Sequence, residues 1–179
     1  MTRSKDETHR RNVTSARSGK PVGGDRASSS LGFLLSQVGI YASRRFAQRL
    51  STLDLQPPEF RVLNVVAGAE GLSQQAIAEA IQAPASRMVA IVDELERRGL
   101  VERRLHPTDR RIRALYLTGE GRRMLTGARK IAAEHEADLT RGMSEAESKR
   151  LIALLQRVVD EQQIGAGVHP GLSDPDPKK

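Results

Sequence analysis

The spacing of apolar residues changes abruptly at Gly99, and no single type of secondary structure fits both sides of that change. Before it, two short segments repeat apolar residues every three or four positions. These are Ala76, Ile77, Ala80 and Ile81 after Ser73, then Met88, Ile91 or Val92, and Leu95 after Pro84. That period belongs to helices with one buried face. After Gly99 the period is two. Val101, Arg103 and Leu105 alternate with charged neighbours, while Ile112, Ala114 and Tyr116 alternate with Arg113, Leu115 and Leu117. Two short antiparallel strands are therefore predicted, flanking a loop at His106 to Arg110 or Arg111. Ser73 is the expected N-cap of the first short helix, and Gly99 ends the second.

Longer helices are predicted on both sides of this unit. Leu31, Leu34, Leu35, Val38, Tyr41, Ala42, Phe46, Leu50 and Leu53 mark one amphipathic helix, which Gln56-Pro57-Pro58 breaks before a helix over Glu59 to about Ala67. Thr118 should cap a long helix carrying Leu125, Ala128, Ile131, Ala132, His135 and Leu139 on one face. Ser144-Glu145-Ala146-Glu147 reads as a capping box opening a last helix that buries Leu151, Leu154, Leu155, Val158 and Val159. The fold class is mainly α with a small two-stranded β wing. Residues 1–30, rich in Ser, Arg, Gly and Lys, are expected to be a disordered basic tail, and 164–179 a flexible one.

Composition narrows the function. The 179 residues carry a formal charge of +7, which suits a polyanionic partner and serves solubility equally well. With zero cysteines the chain has no disulfide, thiolate metal site or thiol redox sensor, consistent with a cytoplasmic location. No run of 18 apolar residues occurs, so no membrane span is expected, and a basic tail and first helix lying on an anionic membrane is a poorer reading than dimerisation, so no membrane partner is expected. Nucleotide-loop, metalloprotease and nucleophile-elbow motifs are missing, so the chain is not expected to be an enzyme or to hold a cofactor. Of the four histidines only His135 has acids at a spacing that could suit a ligand set, in Glu134, Glu136 and Asp138, and a packed imidazole is the plainer reading there than a metal ligand.

Two short helices followed at once by a basic hairpin make a winged helix-turn-helix. Its second helix turns Arg87, Ala90, Glu94 and Arg97 away from the apolar stripe, with small Ala85 and Ser86 leading. Such a helix reads the major groove of double-stranded DNA with its N-terminal residues, and Arg87 can donate two parallel hydrogen bonds to guanine. Ser73 and Gln74, at the start of the bracing helix, are further candidates for DNA contact. All ten basic residues in 84–123 are arginines, against six acids. At the hairpin, Arg110 and Arg111 are expected in the minor groove with Asp109 holding one of them by ion pairing, and Arg113 follows on the strand. Arg97, Arg98, Arg103 and Arg104 are expected to touch phosphates. An ordinary charged hairpin is the alternative for the loop.

The run LSQQAIAEAIQAPASRMVAIVDELERRGLVERRLHPTDRRIRALYLTGEGRRML, at 72–125, resembles the DNA-binding core of the MarR family of bacterial transcriptional regulators. The matching signature elements are Pro107, Asp109, Arg110, Arg111, Leu117, Thr118 and Gly121. Two positions depart from the family pattern: His106 stands where an acid is common, and Gln82-Ala83-Pro84 replaces the usual glycine and polar cap. The resemblance implies a homodimer on a pseudopalindromic operator, with 31–56 as an N-terminal dimerisation helix, 57–117 as the winged domain and 118–163 as C-terminal dimerisation helices. The apolar surface of the outer helices points the same way. The resemblance also implies a repressor relieved by a small aromatic or lipophilic effector, for which Tyr41, Arg45, Phe46 and Arg61 are candidates. Those four also suit a core and interface role. The rival function is an interaction module whose basic face docks an acidic protein or a nonspecific polyanion.

Overall fold

A computed structural model describes residues 30–105 and 113–164. The hairpin tip with Asp109, Arg110 and Arg111, and both predicted tails, lie outside the described residues. The elements in order are α1 (Leu31–Leu50), a 3-10 turn (Ser51–Leu53), α2 (Pro57–Gly68), α3 (Gln74–Ile81), α4 (Ala85–Arg97), β1 (Val101–Leu105), β2 (Arg113–Leu117), α5 (Gly119–Leu139) and α6 (Glu145–Glu161). The chain divides into two compact units between Val38 and Gly39, and the second contains the core.

Local chemistry explains most boundaries. Ser73, Thr118 and Ser144 each accept a hydrogen bond from a first-turn backbone N–H of the helix that follows, and Glu147 completes the box at Ser144. The α2 start is held when the Gln56 amide donates to the Glu59 carboxylate at 2.7 Å. The predicted first helix continued to Leu53; instead α1 stops at Leu50 and the 3-10 turn ends at Asp54, which is left-handed at φ 52°. Gln82 takes the left-handed position after α3, again at φ 52°, a conformation that glycine adopts more readily. Pro84 then supplies the N-terminal boundary of α4 without a capping side chain.

The core joins Leu50 and Leu55 with Val62, Leu63 and Val66 of α2, Ile77 and Ile81 of α3, Met88, Val92 and Leu95 of α4, and Leu115 and Leu117 of β2. On α3 the buried alanine is Ala78, while the predicted Ala80 is exposed, because the helix presents the face of Ile77, Ala78 and Ile81. The hairpin pairs Val101 with Leu117 and Arg103 with Leu115, so those four side chains share the core-facing side. Ala114, on the other side, is buried too. Ser73 bridges to it, and the Leu115 amide donates to the Leu72 carbonyl at 2.9 Å, adding a short third stretch at the edge of β2.

Behind the wing, the predicted Leu-Thr-x-x-Gly signature has a mechanical basis. The Thr118 hydroxyl donates to the Gly99 carbonyl at 2.6 Å while accepting from the Gly121 amide at 2.9 Å. A Cβ at Gly121 would lie 1.9 Å from the Leu100 carbonyl oxygen, so only glycine lets α5 start against the end of α4. This contact sets the wing's position relative to the second short helix.

Outside the core, the predicted stripes of α1 and α6 are not covered. In α1 only Leu50 is buried, and in α6 nothing is. The expected burial of Leu151, Leu154, Leu155 and Val158 fails within one chain: they remain 37–48% exposed.

Candidate nucleic-acid interface

Helix α4 anchors itself through Met88, Val92 and Leu95 and exposes Ala85, Ser86, Val89, Ala90, Asp93 and Arg97. Its first two turns therefore present small or apolar side chains, which allow close backbone approach. Arg87 is half-buried at the flank and makes no ion pair among the described residues, leaving its guanidinium available. Arg97 donates two hydrogen bonds to Glu94, at 2.6 and 2.8 Å. That pairing raises the arginine and holds the Glu94 carboxyl below the usual range. Both groups are open to solvent, so the pair exchanges readily for a phosphate.

Four arginines expected at phosphates separate into two kinds. Arg97 and Arg104 lie outward. Arg104 stacks 5.0 Å from the Tyr116 ring centroid and pairs with Glu102. Arg98 and Arg103 instead lie inward. The Arg98 side chain is 13% exposed, with its guanidinium 3.5 Å from Glu59 and 3.8 Å from Asp54, and so ties the end of α4 to the start of α2. Arg103 projects from the core-facing side of β1 into a polar knot, reaching Asp93 at 2.5 Å, Gln74 at 3.0 Å and Glu96. Burial alone would lower the Arg103 guanidinium, but the bonds to Asp93 and Glu96 raise it overall. These partners within the chain support a proposed role for Arg98 and Arg103 in holding the wing and α4 in place, beside the one expected at phosphates.

The remaining candidates fall on or beside this surface. Ser73 uses its hydroxyl as the α3 cap, accepting from Ala76 at 3.1 Å. Gln74 spends its carbonyl on Arg103, and Arg113 is exposed at the start of β2. Sequence reasoning missed Val89, whose signal was an apolar residue out of phase with the Met88 stripe. It also missed Asp93 and Glu96 as the partners of Arg103.

The four effector candidates are not gathered into one site. Of them only Phe46 lines a cleft of about 320 Å³ formed with Ala42, Ser43, Ala132, His135, Glu136 and Leu139. Tyr41 and Arg45 are exposed, Arg45 donating to Gln48 at 3.2 Å, and Arg61 is half-buried on α2, where burial lowers its guanidinium. His135 is 8% exposed and stacks on Phe46 at 5.3 Å, while Phe46 meets Phe60 edge-on at 5.7 Å. Its Nδ1 has no hydrogen-bond partner among the described residues. Desolvation, reinforced by Arg49 and Arg45 against the opposing Glu136, lowers its pKa.

Comparison with known proteins gives this surface its context. A sequence profile of the MarR family matches residues 53–112. A putative transcriptional regulatory protein for the hcr operon of Thauera aromatica is 35% identical over 148 residues, covering 78% of this chain and 89% of that protein. The chain belongs to the MarR family. Among solved MarR-like structures, the transcriptional repressor CouR bound to a 23-mer DNA duplex superposes with a TM-score of 0.68 at 31% identity, over 75% of this chain and 96% of that one. CouR from Rhodococcus jostii RHA1 bound to p-coumaroyl-CoA gives a TM-score of 0.64 at 32% identity, over 75% and 95% of the two chains. Among the described residues, no helix of this MarR-family chain is long and apolar enough to cross a membrane.

Proposed function

We propose that the protein is a transcriptional regulator that binds a pseudopalindromic operator in double-stranded DNA as a homodimer and represses the genes beside it. The observation that carries this reading is α4: a helix anchored by three buried apolar residues, open over its first two turns, and braced against an arginine-bearing hairpin through Arg103. Ala85, Ser86, Arg87 and Ala90 face the major groove. Arg97, Arg104 and Arg113 contact the backbone, and Asp109, Arg110 and Arg111 are assigned to the minor groove. Repression is supported by the likeness to CouR.

Pairing of two chains is supported by the apolar side chains that α1 and α6 leave uncovered. Two-fold symmetry then presents two copies of α4 to half-sites about one helical turn apart. A small aromatic or lipophilic effector is proposed for the cleft beside Phe46 and His135, whose Nδ1 has no hydrogen-bond partner among the described residues. The likeness to a CouR bound to p-coumaroyl-CoA supports an aromatic acyl group there.

Competition binding at physiological salt tests the function. A regulator keeps its hold on one genomic fragment in a large excess of random duplex, whereas an interaction module that docks polyanions is stripped from it. Arg87→Ala should cost about 1 to 3 kcal/mol on the specific fragment and relax one base position. Equal losses on specific and random DNA would remove Arg87 from base reading.

A further inference from the structure

One side chain on the open face of α4 has no task in the fold. Val89 is 44% exposed, directly after the wholly buried Met88 and outside the Met88, Val92 and Leu95 stripe that anchors the helix. Its exposed neighbours Ala85, Ser86 and Ala90 carry no charge, and Asp93 one turn further on is engaged by Arg103 at 2.5 Å. Val89 also borders a cleft of about 730 Å³ between α3 and α4, shared with Ala78, Ala83 and Ala85, where Gln75, Glu79 and Gln82 supply a polar wall from α3 and its end. The second turn of the helix thus offers the groove a branched apolar side chain with small residues around it.

Hydrogen bonding cannot be how such a side chain discriminates bases, because valine has no donor or acceptor beyond its backbone. In the major groove one natural base edge carries an apolar group, the C5 methyl of thymine; the others present donors and acceptors that an apolar contact would leave unpaired. We propose that Val89 is a specificity-determining residue, selecting thymine at one position of each operator half-site by packing its methyl groups on the thymine methyl. Ala85 and Ser86 permit the approach, and Arg87 reads a different base from the flank of the helix. The proposal rests on the reading of α4 as the groove-binding helix.

Deoxyuridine keeps every hydrogen-bonding group of thymine and lacks only the methyl, so it isolates this contact. An operator is first selected with the full chain from a pool of random duplexes, and each thymine is then replaced singly by deoxyuridine. At one thymine per half-site, affinity should fall about fourfold, the worth of one buried methyl group. Val89→Ala changes both half-sites of the homodimer, so it should bind the unmodified operator about as weakly as the wild type binds one with both of those thymines replaced, a fall of about sixteenfold, and should be indifferent to the replacements. Val89 is exposed and alanine is the better helix former, so the variant keeps its fold; the wild-type scan needs no variant at all. Tolerance of every deoxyuridine, or an unchanged penalty in Val89→Ala, overturns the proposal while the selected operator leaves the regulator intact. A pool that enriches no sequence overturns both.

Discussion

Arg98 and Arg103 show how far an arginine's neighbours decide its work. Each belongs to a basic cluster in sequence, yet each pairs its guanidinium with carboxylates of the same chain. With Arg98 and Glu59 only 13% and 10% exposed, Arg98→Ala strands a shielded carboxylate. Urea denaturation should then show a loss of about 3 kcal/mol, with the salt dependence of DNA binding by the folded protein unchanged. A flatter salt slope would return Arg98 to the phosphates. Gly121→Ala should cost about 3 kcal/mol by forcing α5 off the Leu100 carbonyl, read in the same way. His135 adds a pH effect. Its folded pKa lies below the ordinary 6.5, so the unfolded chain takes up the proton first and stability falls as pH drops from 6.5 toward the folded value. Above 6.5 the neutral ring contributes fully. His135→Leu should flatten that part of the stability profile, and an unchanged acid limb would assign it to other groups.

At the scale of elements, the chain's punctuation was legible because it is local. Ser73, Thr118 and Ser144 cap helices through atoms three residues away, and the change of period at Gly99 marked the wing before any contact was known. Inward arginines were illegible for the opposite reason: Arg103 meets Asp93 and Gln74 at separations of 10 and 29 residues, which no local pattern encodes. Likewise Ala78 and Ala80 differ only in how α3 is rotated on its neighbours, a choice made by Ile77 and Ile81 together with the helices they meet. Of the effector candidates only Phe46 borders the proposed cleft, because its other walls come from Ala132, His135 and Glu136 of α5, about 90 residues away in sequence, while Tyr41 and Arg45 remain exposed. Removing the cap at Thr118 tests the wing's support. Thr118→Ala loses a hydrogen bond to α5 and one to Gly99, and should cost about 1 to 2 kcal/mol in thermal or urea unfolding.

At the scale of the whole molecule, the proposed homodimer rests on apolar surface that the single chain leaves exposed. Exposed leucines, valine and isoleucine along α6, and the exposed stripe of α1, constitute more uncovered apolar surface than an isolated domain tolerates. The unfolding temperature should rise with protein concentration, since association stabilises the folded chain by mass action. Leu151→Glu with Leu155→Glu should give monomers in light scattering without unfolding the winged core, because neither side chain is buried there. Those monomers should lose operator affinity by more than about tenfold, since each copy then grips one half-site alone.

The central claim is that two copies of α4 read two copies of one short sequence. Selection of random duplexes with the full chain, followed by sequencing of the bound fraction, tests it most directly. The account predicts an enriched inverted repeat whose half-sites are centred about 10 base pairs, or a multiple of that, apart. An unenriched pool, or a single asymmetric half-site, would contradict it.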